Sequence, residues 1–238
     1  MPELRSPPRF SPRSSTRLVA LLLALGASPA LAQEGLSVDF NLGAASDYVF
    51  RGASQTDEDP QVYGGADVAL GIGYAGAWVS NVDFGNGTDA EFDLYAGIQP
   101  QVGAVTLDLG ALYYGYLDQP SGSHEDYWEF KAAASMPLGP ATFGAGVFWS
   151  PEYFGKTGDA LYYEANAEVT IPQTKLSLSA ALGRQQFEGP GDYTTWNVGV
   201  GYALTDHVGL DLRYHDTDAH EQGKLYDGRI VGGIKLTF

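Results

Sequence analysis

The chain has no cysteine, two methionines and 13 basic residues against 29 acidic ones. Without cysteine there is no disulfide framework to read. With so few Lys and Arg there is no basic stripe for phosphate, which argues against nucleic acid as a partner. Long apolar runs are missing too. The stretch Leu18 to Ala27 covers about ten residues, where a spanning helix needs about 20. What the chain does have is 31 Gly, 15 Tyr and many Ala and Asp, a composition that favours strands and turns over helices.

The N-terminus reads as an address. Arg5, Arg9, Arg13 and Arg17 precede the apolar stretch, and Ala30-Leu31-Ala32 supplies a small-x-small cleavage site. Residues 1–32 are expected to be a cleaved signal peptide, with cleavage before Gln33. The lack of a cysteine there excludes a lipoprotein anchor. Removing that segment takes the net charge from −16 to about −19.

From residue 33 onward the chain alternates with period two in about a dozen segments of 8 to 12 residues, the length of a tilted membrane strand. Val38, Phe40 and Leu42 oppose Asp39, Asn41 and Gly43. Leu107 and Leu109 oppose Thr106, Asp108 and Gly110. Trp128, Phe130 and Ala132 oppose Glu129 and Lys131, and Ala165, Ala167 and Val169 oppose Glu164, Asn166 and Glu168. Short turns are expected at Ala75-Gly76, Pro100-Gln101, Pro137 to Pro140, Pro172-Gln173 and Thr205 to His207. Between them lie longer polar stretches at 54–61, 85–88, 118–125, 151–158, 185–192 and 216–225. Short and long connections alternate throughout. That rhythm predicts an all-β fold, an antiparallel transmembrane β-barrel of about 12 strands over residues 33–238, with short periplasmic turns and longer outer loops. An exported β-sandwich would expose a polar face rich in Thr and Lys, whereas this one is mostly Gly, Ala, Ser and carboxylates.

Aromatic residues cluster at both ends of the segments. Tyr113, Tyr116, Tyr127, Trp128, Phe148, Trp149, Tyr162, Tyr163, Tyr193, Trp196 and Tyr214 lie towards the long loops. Tyr74, Trp78, Phe143, Tyr202 and Phe238 lie towards the short turns. Two interfacial belts are expected from them. The last segment sets Ile230, Ile234, Leu236 and Phe238 against Arg229, Val231, Lys235 and Thr237, and it resembles the final strand of bacterial outer-membrane barrels. The resemblance implies an outer membrane with its lipid and lipopolysaccharide, and recognition of Phe238 by the barrel assembly machinery.

The stretch Ser46-Asp47-Tyr48-Val49-Phe50-Arg51-Gly52, continuing through Ser54-Gln55-Thr56, Asp59-Pro60 and Gly64-Gly65, resembles the TorF-family porins of proteobacteria. So does Ala77-Trp78 with Ser80-Asn81-Val82-Asp83-Phe84, Glu91 and Asp93-Leu94-Tyr95. The resemblance implies a Gram-negative outer membrane and passive transport of small molecules or ions. It carries no catalytic or ligand residues.

Inward positions decide whether such a barrel conducts. The expected pore-lining charges are Asp67, Glu91, Asp93, Asp108, Glu129, Glu164, Glu168 and Asp211, with Lys131, Arg213, Arg229 and Lys235 against them. Either they face water, and the carboxylate excess favours cations, or they form ion-pair networks that hold the wall. Inward glycines, among them Gly43, Gly97, Gly110 and Gly183, either keep a channel open or relieve crowding on a filled wall. Arg51 is either a constriction charge at the mouth or an anchor for the first long loop through an Asp. No catalytic, cofactor or metal residues are assigned. None of His124, His207, His215 and His220 falls at an outward mid-strand position, as an acyl-transfer pair on a lipid-facing wall would require. The acidic loops 57–59 and 83–89, and the His215, Asp216, Asp218 and His220 group, read as solvated loops before they read as metal sites.

Overall fold

The computed structural model describes residues 35–238, so the expected signal peptide lies outside the described residues. In chain order the strands are β1 Ser37–Ala45, the two-residue pair β2 Val49–Phe50 and β3 Ala53–Ser54, β4 Gln61–Leu70, β5 Gly73–Asn81 and β6 Ala90–Ile98. They continue with the short β7 Gln101–Val102, then β8 Val105–Leu117, β9 Tyr127–Leu138, β10 Ala141–Ser150, β11 Ala160–Thr170 and β12 Leu176–Phe187. The last are β13 Tyr193–Ala203, β14 Val208–Thr217 and β15 Arg229–Thr237. Leaving out β2, β3 and β7, twelve strands form the wall. Each pairs antiparallel with its neighbours, and the pairing of β1 with β15 closes the cylinder. That seam is short. It has five residue pairs, Asn41↔Thr237 to Ala45↔Gly233, where β11 and β12 share eleven. Two 3-10 turns, His220–Gln222 and Lys224–Tyr226, sit in the last long loop.

Alternation sorts the wall as period two requires. Phe40, Leu94, Trp128, Leu182 and Leu212 point outwards, and Phe40 is 54% exposed. A soluble protein does not leave so many large apolar side chains uncovered around its whole girth, so this face meets hydrocarbon. Closing the sheet leaves the wall no free edge, and every wall strand finds its hydrogen bonds within the barrel, as lipid demands.

Two expected turns move. The β4–β5 hairpin turns at Gly71-Ile72, with Leu70 paired to Gly73, rather than at Ala75-Gly76. Gly71 has φ +58°, as the first position of a type II′ turn requires, and this is the tightest solution available to the Gly-Ile-Gly sequence. Tyr74 and Trp78 consequently point inwards and are buried. The turn expected at Pro100-Gln101 lies instead between Val102 and Val105, after β7. The aromatic belts are thinner than expected. Trp128, Trp149, Trp196, Phe143 and Tyr202 face out, whereas Tyr116, Tyr127, Tyr162 and Tyr193 are buried inside.

Those inward aromatics form the core. Leu112, Tyr114, Tyr116 and Tyr127 pack on Tyr153 and Phe154 from a long loop. Tyr48 and Phe50 pack on Trp78 and Val82, and Ala53 packs on Tyr193, Ala219 and Tyr226. All three clusters lie at the long-loop end of the barrel. The inward glycines make room for rings. A side chain at Gly43, Gly97 or Gly183 would collide with Tyr63, Tyr74 or Tyr162 respectively.

Candidate functional site: a loop folded across the lumen

The first long loop, between β1 and β4, does not project outwards. Residues 51–56 are all buried, and the strands β2 and β3 make a minimal hairpin whose tip is Arg51-Gly52. Both tip residues have positive φ, +44° and +89°, the pattern of a type I′ turn. Glycine accepts that conformation freely, but for an arginine it costs on the order of 1 kcal/mol. Gly52 has a second reason to be glycine, because an added Cβ would collide with Thr195 and Thr217.

The strand order shows how far the loop reaches. β1 and β4 are neighbours, and the strands opposite them around the ring are β10 and β11. The Arg51 guanidinium lies over the Phe148 ring of β10 and the Tyr162 ring of β11, at 5.3 and 4.1 Å from their centroids. Its Nη2 donates to Glu129 of β9 at 2.8 Å, and its Nη1 donates to Gln185 of β12 at 2.9 Å. The loop therefore crosses the whole lumen. Side-chain exposure is 3% for Arg51 and 1% for Glu129, so neither charge is shared with bulk water. Removing one partner of such a buried pair costs about 3–5 kcal/mol, because the other charge is stranded.

Further contacts hold the loop along its length. Asp47 accepts from Ser54, Thr56 and, at 3.0 Å, Arg229 of β15. Arg229 also pairs with Glu58, and Lys224 with Asp57 at 2.7 Å. The Asp57 carboxylate holds the exposed Lys224 ammonium above its ordinary pKa. Tyr48 donates to Glu91 of β6 at 2.8 Å. Arg51 is thus tied to a Glu and a Gln, not to an Asp, and the loop's Asp47 and Asp57 are tied to Arg229 and Lys224 respectively.

The expected inward charges divide into two groups. Glu91, Asp93, Glu129 and Glu164 lie towards the long-loop end and are buried, with Asp93 at 0% exposure and no hydrogen-bond partner on either oxygen. Asp67, Asp108, Lys131, Glu168, Asp211, Arg213 and Lys235 line the rest of the interior and are partly exposed. Some of these are paired: Lys131 to Asp108 at 2.9 Å, Arg213 to Asp211 at 3.1 Å. Tyrosine hydroxyls take up others. Tyr95 donates to Asp67, Tyr74 to Asp108, Tyr114 to Glu129 and Tyr162 to Glu164. Two of these donors, Tyr74 and Tyr162, are among the residues expected in the aromatic belts. Strand parity was the available signal, since Tyr162 shares a face with Glu164 and Tyr163 does not.

The remaining candidates sit elsewhere. His215 faces the interior from β14, and His124, His207 and His220 lie in connections. Asp216 accepts from His220 at 2.8 Å and raises the exposed imidazole above its ordinary pKa of 6.5. Among the described residues no three His, Asp or Glu side chains are grouped to hold a metal ion. A shallow apolar groove over Ala132, Ala134, Ala145 and Ala165 lies on the outer, lipid-facing wall and is not part of the lumen.

A family model described as a bacterial protein of unknown function, Gcw_chp, matches residues 29–234. The chain belongs to the Gcw_chp family. No curated protein matches it at a significant level. Among solved structures, the KdgM porin covers 84% of this chain and 98% of its own at 9% identity and a TM-score of 0.58. A second KdgM structure, in complex with disordered oligogalacturonate, aligns with the same TM-score at 8% identity. The NanC porin aligns at 11% identity and 0.55, covering 85% of this chain and 99% of its own. At these identities the likeness is one of fold, and it is the fold of a porin-like barrel. The Asp47-to-Thr56 stretch is the part that crosses the lumen.

Proposed function

We propose that this Gcw_chp protein is an outer-membrane channel of a Gram-negative bacterium, allied to the TorF-family porins, for passive diffusion of small solutes with a preference for cations. The reading includes export by residues 1–32, a surround of lipid and lipopolysaccharide, and handling of Phe238 by the barrel assembly machinery. The observation that carries the preference is the interior charge. Asp39 and Glu168 face inwards, partly exposed and without a cation at contact distance, whereas Arg51, Lys131, Arg213 and Arg229 each have a carboxylate partner. A net carboxylate wall raises the local cation concentration and repels anions. Oligogalacturonate, bound in the KdgM complex, is a polyanion, and this interior is poorly suited to it. The polar, partly exposed half towards the short turns supplies the path, and the first loop sets its narrowest point.

A second reading, a closed structural or surface-binding barrel, is favoured by the three aromatic clusters that fill the long-loop end. Planar-bilayer recording on the purified full chain separates the two. Small conductance steps, with a reversal potential in a salt gradient on the cation side, are expected. Absence of steps at high protein load would overturn the channel in favour of the closed barrel.

A further inference from the structure

We propose that the pocket gripping Arg51 is a recognition site for guanidinium-bearing solutes, and that Arg51 is its built-in occupant. The inference deepens the channel reading by naming a solute class for the interior. On the far wall the pocket offers two acceptors and two ring faces. The acceptors are Glu129 Oε2 and Gln185 Oε1, each within 2.9 Å of a different terminal nitrogen of Arg51. The ring faces are Tyr162 and Phe148, with the guanidinium carbon 4.1 and 5.3 Å from their centroids. A planar fork with two outward N–H groups spans such acceptors while stacking on the rings. A compact ammonium on a single point cannot do both.

The wall half of the pocket is built independently of the loop. Tyr114 donates to the second oxygen of Glu129, and the Gln185 amide nitrogen donates to the Gln186 carbonyl. Both acceptors are therefore oriented before Arg51 arrives. The fit of the occupant, by contrast, is imperfect. Arg51 sits in left-handed backbone, and its buried Nε–H has no acceptor. A free guanidinium does not pay the backbone cost. Asp93 lies close to Glu129 with neither oxygen hydrogen-bonded, which leaves beside the pocket a polar group that Arg51 does not use. A solute carrying a guanidinium can then compete for the pocket, and each time it wins, the loop loses its hold on the far wall.

The test uses the full chain in detergent, with Arg51→Ala emptying the pocket. Its heat-induced gel shift should move to lower temperature than wild type. Millimolar methylguanidinium should restore at least half of that loss. Methylammonium should not, and neither cation should restore the double variant Arg51→Ala/Glu129→Gln. Should Arg51→Ala fail to assemble, Arg51→Met keeps the apolar stem and carries the same comparison. Equal response to both cations, or equal rescue with and without Glu129, overturns the proposal. Bilayer recording separates this result from the channel reading. Rescue without any conductance keeps the guanidinium pocket and removes the channel. Conductance through Arg51→Ala that methylguanidinium neither blocks nor stabilises keeps the channel and removes the pocket.

Discussion

At the scale of single residues, the tip of the first loop carries two separate demands. Gly52 must hold φ +89° and must leave room for Thr195 and Thr217, whereas Gly85 holds φ +67° in open space. Gly52→Ala should therefore cost more than Gly85→Ala, with the former at about 1–3 kcal/mol and the latter near the low end of that range. Thermal midpoints of the two variants measure the difference, which isolates crowding from backbone strain. Equal midpoints would mean that the tip is not seated against β13 and β14. The importance of Arg51 was legible in the sequence, as a charge flanked by aromatics at a mouth, but its partners were not. A local Asp seemed the natural anchor because chain proximity is all a sequence displays. Twelve strands in ring order put β9 to β12 opposite the first loop, and Glu129 and Gln185 follow from that geometry alone.

At the scale of elements, the loop is a strap held at its root by Asp47, Glu58 and Arg229 and at its tip by Arg51. Replacing Val49–Ser54 with a short Gly/Ser linker removes the hairpin and leaves the wall strands untouched. Single-channel conductance should then rise several-fold, since resistance concentrates where a pore is narrowest. Unchanged conductance would place the constriction elsewhere. The wall was legible because lipid on one side and a polar interior on the other enforce alternation on every strand. Parity in β1, β8, β9 and β11 was plain for that reason. It failed in β5, where Tyr74 and Trp78 point inwards and Ala75, Ala77 and Val79 outwards, so that both faces carry apolar groups. The cause is the inserted loop. Where Tyr48 and Phe50 fill the lumen, the inner face of β5 must be apolar too, and the alternation that marks a barrel strand fades.

At the scale of the whole molecule, the interior charges separate into those engaged with a cation and those left to water. Neutralising Asp39 and Glu168 as Asp39→Asn/Glu168→Gln should leave assembly intact. It should shift the reversal potential towards anions by an amount worth about 1 kcal/mol between a cation and an anion. Asp108→Asn should instead strip Lys131 of its carboxylate, lowering the thermal midpoint with less effect on selectivity. Identical outcomes from the two substitutions would remove the distinction between paired and unpaired groups.

The short seam has a consequence for the order of assembly. Every other wall pairing joins strands that follow one another along the chain, so it can form as a local hairpin. The meeting of β1 with β15 must wait for the two ends to find each other. Asp47 follows β1 directly, and its partner Arg229 opens β15, so their ion pair bridges that same junction. The loop cannot be locked into the lumen until the cylinder has shut, and once locked it bolts the five-pair seam from inside. Closure and plugging are then successive stages of one maturation step, and a barrel caught between them would be both unplugged and easiest to pry apart.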